Sequence, residues 1–332
     1  MLSQSTQLEV KNLTTCFRTS KGNVMAVDEI SFSLKKGETL CIVGESGCGK
    51  SVSALSIMGL LPPSGYVKSG SAIFQNNDLL LMTTKELEKL RGNRISMIFQ
   101  DPGSSLNPVM RVGDQVSEIF QIHLNISKQE GRKKALEMLK QVEIPDPESR
   151  MLAFPHELSG GMAQRIMIAI ALACNPDILI ADEPTTALDV TIQAQVLEVM
   201  RDMAKEYGTA LVMITHNLGV VARYAERVIV MYAGKIIESG TAKDVYGDPR
   251  HPYTLGLLKS VPRLDEKIPE KLEAIEGLPP LVIDLPDACA FAPRCKFVID
   301  KCNEKMPELE EVNPGHLSRC YVSSELHELA KK

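Results

Sequence analysis

GESGCGKS, residues Gly44 to Ser51, decides how this chain is read. It follows a short apolar run, Leu40 to Val43, and opens a stretch suited to a helix from about Ser51. Strand, glycine-rich turn and helix start in that order form a phosphate-binding loop. The glycines let backbone N–H groups curl around phosphate oxygens, and the helix N-terminus adds a favourable dipole. Gly44, Glu45, Ser46, Gly47, Cys48, Gly49 and Val52 then line or flank a nucleotide. Lys50 pairs with its outer phosphates, and the Ser51 hydroxyl is placed for magnesium. Cys48 reads as a small loop residue without redox duty.

Outward from the loop, Ser96 to Phe99, Ile178 to Ala181 and Ala210 to Ile214 read as further buried strands, each ending in a polar motif. From Leu8 to about Gly240 such runs alternate with amphipathic helices, the pattern of an α/β domain with a mostly parallel sheet. Ligands of such sheets sit at the carboxyl ends of the strands. One of these ends carries two adjacent carboxylates, Asp182 and Glu183, costly beside an apolar strand unless a cation or proton is handled there. Between Val112 and Val142 apolar residues recur at helical spacing, which predicts a helical insertion. Val228 to Tyr232 and Lys235 to Glu238, joined across Ala233 and Gly234, predict a β-hairpin.

A second glycine motif, LSGGM at Leu158 to Met162, leads into the helix-compatible run AQRIMIAIAL. Ser159 and the N–H groups of Gly160 and Gly161 form another anion-binding helix start. One nucleotide does not need two such cradles.

The chain of 332 residues is large enough for one main domain and a smaller one. Its 44% hydrophobic and 24% charged residues are ordinary for a globular protein. A formal net charge of -5 gives no basic footprint for nucleic acid. The longest unbroken apolar run, Ile166 to Cys174, is far short of the roughly 20 residues that cross a bilayer. MLSQSTQLEV lacks the basic stretch and apolar core of a secretory signal, so the cytosol is expected. There the eight cysteines stay reduced.

Four of them, Cys289, Cys295, Cys302 and Cys320, cluster in a short, proline-punctuated tail, while Cys16, Cys41, Cys48 and Cys174 are scattered. Four thiols in a thin core point to a metal staple. Zinc favours cysteines two to four residues apart, a spacing absent here; four thiolates also ligate an iron–sulfur cluster. Zinc, iron–sulfur and metal-free thiols all remain open on the residues alone. HPYTLGLLKSVP, from His251 to Pro262, reads as a helix joining core to tail.

GESGCGKS, LSGGM and ILIADEP, in that order, resemble the ATP-binding cassette (ABC) family of transporter ATPases. The resemblance implies a P-loop ABC ATPase domain over 1–258: a RecA-like core with an antiparallel β subdomain and a helical subdomain over about 101–165. It implies a small cysteine-rich C-terminal extension over 259–332. In such proteins Asp182 and Gln100 of IFQDP assist Ser51 in holding magnesium, and Glu183 polarises the attacking water. His216 of MITH resembles the switch histidine at the terminal phosphate, and Phe17 the aromatic residue that stacks on adenine. Two subunits pair head to tail, so each ATP lies between one P-loop and the partner's Ser159, Gly160, Gly161 and Met162. Asp189 of TALDVT resembles the aspartate that crosses this interface. Ala163 departs from the pattern, since many relatives carry a basic residue there.

Longer stretches, VGESGCGKSVSALSIMGLLP, IFQDPGSSLNP, FPHELSGGM, DEPTTALDVTIQAQ and HPYTLGLLKSVP, look like the D-type ATPases of oligopeptide and dipeptide importers. That resemblance implies ATP-driven peptide import, with a second, F-type ATPase subunit, two membrane permeases and an extracellular peptide-binding protein. It implies a peripheral place on the cytoplasmic face of the membrane and a [4Fe-4S] cluster on the four tail cysteines. The alternatives are an importer ATPase for another solute, such as a nickel chelate, or a soluble cassette protein acting on nucleic acid. The latter type carries a long coiled-coil insertion or two cassettes per chain, and neither is present. Glu183, Ser159 and His216 together argue against a non-hydrolysing regulatory partner.

Overall fold

A computed structural model describes residues 6–20, 22–186, 188–260, 275–280, 282–283 and 285–330. Ala187 of TALDVT, Val261 and Pro262 of the HPY stretch, and the adjoining residues to 274 lie outside the described residues, as do the first five.

The strands in chain order are β1 (Thr6–Thr19), β2 (Gly22–Lys35), β3 (Thr39–Val43), β4 (Gly65–Phe74), β5 (Asn77–Asp78) and β6 (Ile95–Ile98). They continue with β7 (Ile178–Asp182), β8 (Ala210–Thr215), β9 (Arg227–Tyr232), β10 (Lys235–Thr241), β11 (Glu310–Asn313) and β12 (His316–Ser318). The chain folds into two compact units that do not follow chain order. One comprises 1–8, 34–38 and 81–214, the other 9–33, 39–80 and 215–332.

In the first unit β6, β7 and β8 run parallel, with Ile98 opposite Ala181 and Asp182 opposite Ile214. Every residue of β7 and β8 is buried, as expected of parallel strands covered on both faces. The strand expected at Ser96–Phe99 is shifted by one residue, because the chain turns outward after Ile98 and leaves the Phe99 ring exposed. The helical insertion is present as Val112–Leu124 and Lys128–Gln141, whose buried faces carry Val116 and Phe120, and Ala135 and Leu139. Ser127 opens the second of these with a capping box to Glu130. The Ile166 to Cys174 run lies mostly in the helix Gly160–Leu172. Among the described residues no helix is long and apolar enough to cross a membrane.

In the second unit β3 pairs with β9 in parallel, and β9 with β10 across the expected hairpin turn. Ala233 and Gly234 both take positive φ, the backbone a tight hairpin turn requires. A separate antiparallel sheet has the order β2-β1-β4-β5. The tail expected over 259–332 adds strands to the hairpin: β12 pairs with β10, and β11 with β12. A buried carboxylate fastens this join. Glu238 on β10 accepts from the N–H groups of Arg250 and His251 at 2.7 and 2.9 Å and lies 2.8 Å from His316 Nε2.

Candidate functional site: a P-loop, a strand-end acid pair and a signature helix

The P-loop lies between β3 and the helix Lys50–Ile57. Gly44 and Gly49 have φ of 152° and 104°. A Cβ on them would lie 2.3 Å from the Met231 carbonyl oxygen and 2.4 Å from that of Ala26. Both glycines are therefore required by conformation and by close backbone approach. Lys50 is 4% exposed, and its ammonium donates to the carbonyls of Gly44 and Glu45 at 2.7 and 3.0 Å. The cation is solvated by its own loop and poised for anionic oxygens. Burial pushes the Cys48 thiol up, the charge of Lys50 notwithstanding, so it remains protonated at neutral pH.

Glu45 is held by groups from two distant segments of the chain. Its N–H donates to the Tyr253 hydroxyl at 2.8 Å, and its carboxylate accepts a bidentate pair from Arg294 at 2.7 and 3.0 Å. Tyr253 lies in the helix Pro252–Lys259 read as a linker, and Arg294 in the APRC stretch of the tail. Neither was legible as a site residue, because each acts through a partner some 200 or more positions away. The only signal was composition: a tyrosine and an arginine set among prolines.

His216, just after β8, belongs like the P-loop to the second unit; it is exposed, beside Asn217, which caps the helix Leu218–Tyr224. Phe17 on β1 is half-buried, with its ring over the backbone of Gly65.

Gln100, Asp182, Glu183, the LSGGM signature segment (Leu158 to Met162) and Asp189 belong to the first unit. Asp182 is the buried end of β7. Glu183 turns into the left-handed region, φ 46°, where its N–H donates to the Ile214 carbonyl at 2.9 Å. Such backbone costs on the order of 1 kcal/mol in a non-glycine residue and gathers at functional sites. It aims the carboxylate, which accepts from Gln100 Nε2 at 3.2 Å and from the Thr186 hydroxyl at 2.9 Å. Gln100 and Glu183, 83 residues apart, are thus brought together. Thr186 is a further contact to Glu183, signalled in sequence only by the hydroxyl three positions on.

Ser159 caps the helix Gly160–Leu172 by accepting from the Met162 N–H at 3.4 Å, and Asp189 caps Val190–Tyr207 by accepting from Ile192 at 3.1 Å. Ser159 and Gly160 are exposed. A Cβ on Gly161 would meet Ile192 Cγ2 at 2.8 Å, so this glycine also lets the two helix starts approach.

In the tail, burial pushes the Cys295 and Cys320 thiols up to about 11 and about 12, and that of Cys289 up as well. The Cys289 N–H donates to the Cys302 carbonyl at 2.9 Å, which places these two cysteines side by side. Backbone N–H groups two residues on, from Phe291, Phe297 and Val322, point at the sulfurs of Cys289, Cys295 and Cys320. Among the described residues no three Cys, His, Asp or Glu side chains stand grouped to hold a metal ion.

Residues 27–186 match the family model "ABC transporter", and residues 237–302 match "Oligopeptide/dipeptide transporter, C-terminal region". The chain is 50% identical over 322 residues to the oligopeptide transport ATP-binding protein AppD of Bacillus subtilis, covering 97% of this chain and 98% of that protein. It is also 50% identical over 314 residues to the oligopeptide transport ATP-binding protein OppD of Escherichia coli, covering 95% and 92%. Among solved structures, the dimeric post-hydrolysis state of the ATP-binding cassette MJ0796 bound to ADP and Pi is similar, with TM-score 0.64 and 30% identity. It covers 71% of this chain and 98% of that one. With a P-loop, a strand-end acid pair and a capped signature helix in one chain, it belongs to the ABC transporter ATPases, in the branch that carries the oligopeptide/dipeptide transporter C-terminal region.

Proposed function

We infer that this chain is the ATP-hydrolysing subunit of a membrane importer for oligopeptides or dipeptides. It associates peripherally with membrane permeases and works as one half of an ATPase dimer. The observation that carries hydrolysis is the strand-end carboxylate of Glu183, oriented by Gln100 and Thr186. General-base help from such a group is worth roughly 10²- to 10⁴-fold in rate.

The roles of individual residues follow as part of this proposal. Lys50 and the loop N–H groups bind the β- and γ-phosphates, Phe17 stacks on adenine, and His216 meets the terminal phosphate. Ser51, Gln100 and Asp182 hold magnesium; hydroxyl, amide and carboxylate oxygens are the donors a hard cation takes. When bound, the ion would neutralise phosphate charge. Glu183 takes a proton from the attacking water as the water's oxygen bonds the γ-phosphorus and the bond to ADP breaks. Ser159, Gly160, Gly161 and Met162 contact the ATP held by the second subunit, with Asp189 beside them, so ATP favours the closed pair and its hydrolysis releases it.

Several finer points belong to the same reading. The second ATPase is a related F-type subunit, an extracellular binding protein supplies the peptide, and the chain sits on the cytoplasmic face. Residues 1–258 bind nucleotide, and 259–332 form the family extension. Cys289, Cys295, Cys302 and Cys320 hold a [4Fe-4S] cluster, with zinc as the other candidate. The support for this reading is that all four cysteines fall in one short tail segment and that three of their sulfurs receive backbone N–H groups. The cluster would staple the tail. Anaerobically purified protein containing neither iron nor sulfide, even after reconstitution, would remove it.

The central test is Glu183→Gln with ATP in the reconstituted transporter. Turnover is expected to fall roughly 10²- to 10⁴-fold while ATP stays bound in a closed dimer. Unchanged hydrolysis would sink the assignment of the base.

A further inference from the structure

We propose that Arg294, with Tyr253, is a positioning residue for the P-loop: the C-terminal segment neutralises and pins Glu45 and thereby sets the chain's affinity for nucleotide. This rests on the reading of residues 44–51 as the nucleotide cradle.

Glu45 is held on three sides, each by a different group. Its N–H is on Tyr253, its carboxylate is on Arg294, and its carbonyl takes the Lys50 ammonium at 3.0 Å. A displacement of Glu45 is therefore transmitted directly to the lysine that meets the phosphates. The clamp itself is stiff. Arg294 is 6% exposed in its side chain, and every guanidinium nitrogen is engaged. Beyond Glu45, its Nε donates to the Glu276 carbonyl at 2.9 Å, one terminal nitrogen to the Tyr232 hydroxyl at 3.2 Å, and the other to the Gly277 carbonyl at 3.1 Å. A planar fork used on all its donors fixes position as well as charge. Tyr253 is fully buried, its ring 4.7 Å from that of Tyr232 and 5.4 Å from that of Phe291.

Charge gives the second half of the argument. A carboxylate in the loop that receives a triphosphate repels it, more strongly where water is partly excluded. A bidentate arginine cancels that charge and is among the strongest pairings a protein makes. The guanidinium springs from the turn between Cys289 and Cys295, whose register is set by the Ala292 N–H bond to the Cys289 carbonyl and the Arg294 N–H bond to that of Phe291. The tail thus acts on the nucleotide site through one side chain.

The experiment measures the affinity of the full-length chain for ATP and ADP by calorimetry, in wild type, Arg294→Met, Arg294→Lys, Glu45→Gln and the Glu45→Gln/Arg294→Met pair, with Lys50→Ala as control. Arg294→Met leaves the Glu45 charge uncompensated and is expected to weaken ATP binding about tenfold, through repulsion between that carboxylate and the phosphates. Adding Glu45→Gln should restore affinity to within about threefold of wild type, since the repelling charge is gone. Arg294→Lys should fall between, keeping the charge and losing the fork. At saturating ATP, kcat should change less than KM. A role in stability alone would lower the melting temperature without rescue of affinity by Glu45→Gln. If Arg294→Met does not fold, the Arg294→Lys and Glu45→Gln/Arg294→Lys comparison decides the matter on the same terms. Unchanged ATP affinity in the arginine variants, or a loss that Glu45→Gln fails to repair, overturns the proposal. Undiminished binding by Lys50→Ala would instead overturn the cradle itself.

Discussion

The chain carries two glycine-rich helix starts of similar chemistry, and they are built differently. The P-loop start is buried and braced: Lys50 is turned onto loop carbonyls, Gly44 and Gly49 lie against neighbouring backbone, and Glu45 is gripped by Tyr253 and Arg294. The signature start is exposed, and Ser159 caps it with a single long bond. The difference matches the jobs proposed for them. A cradle that binds its ligand within its own chain gains from being preformed, because little ordering is left to do on binding. A surface that completes a site on another subunit has to stay open to it.

The largest effect that would break this contrast is expected at Gly49. Gly49→Ala forces a side chain into a left-handed backbone 2.4 Å from the Ala26 carbonyl oxygen. A loss of at least about 3 kcal/mol of stability is expected, together with loss of nucleotide binding. Denaturant unfolding of the variant measures it, and a near-wild-type midpoint would show that the loop is not braced as described.

Acid offers an intermediate test confined to the braced side. His251 caps the helix that carries Tyr253, its Nδ1 accepting from the Tyr253 N–H at 3.0 Å. Burial first, then the charge of Arg319, lowers its pKa to about 3. Because the unfolded imidazole takes a proton at a higher pH than the folded one, stability falls as pH drops below about 6.5 toward 3. Between pH 7 and 5 the loss from this residue is about 2 kcal/mol by linkage. His251→Gln should flatten that part of the stability profile, and an unaltered slope would count against a buried neutral imidazole.

The smallest effect is expected on the open side. Ser159→Ala removes one helix cap, worth about 1 kcal/mol. Binding of ATP to the isolated chain should stay as it was, while ATP-driven dimerisation, followed by light scattering in the Glu183→Gln background, should be lost. If Ser159→Ala weakened nucleotide binding by the single chain, the two starts would not be divided as argued.

Much of this was legible beforehand, for a local reason. The P-loop, the acid pair after Ile178–Ala181 and the LSGGM helix start each depend on neighbours within a few residues, where backbone conformation and hydrophobic period are written directly. The hairpin over Ala233 and Gly234 was readable on the same grounds. The strand at Ile95–Ile98 was placed one residue late because Phe99 is apolar yet exposed, and apolarity alone does not say which way a chain turns at a strand's end.

The sequence by itself thus determined the family of fold and the placing of the motifs on which the proposed chemistry rests, since those reside in short stretches whose geometry is local. Only the tertiary structure decided what surrounds the motifs. It set the tail's β12 against β10, brought Gln100 to Glu183, and carried Arg294 across 249 residues to Glu45. Pairings of that kind are settled by how distant segments pack and which buried charge needs a partner, and no spacing along one chain records them.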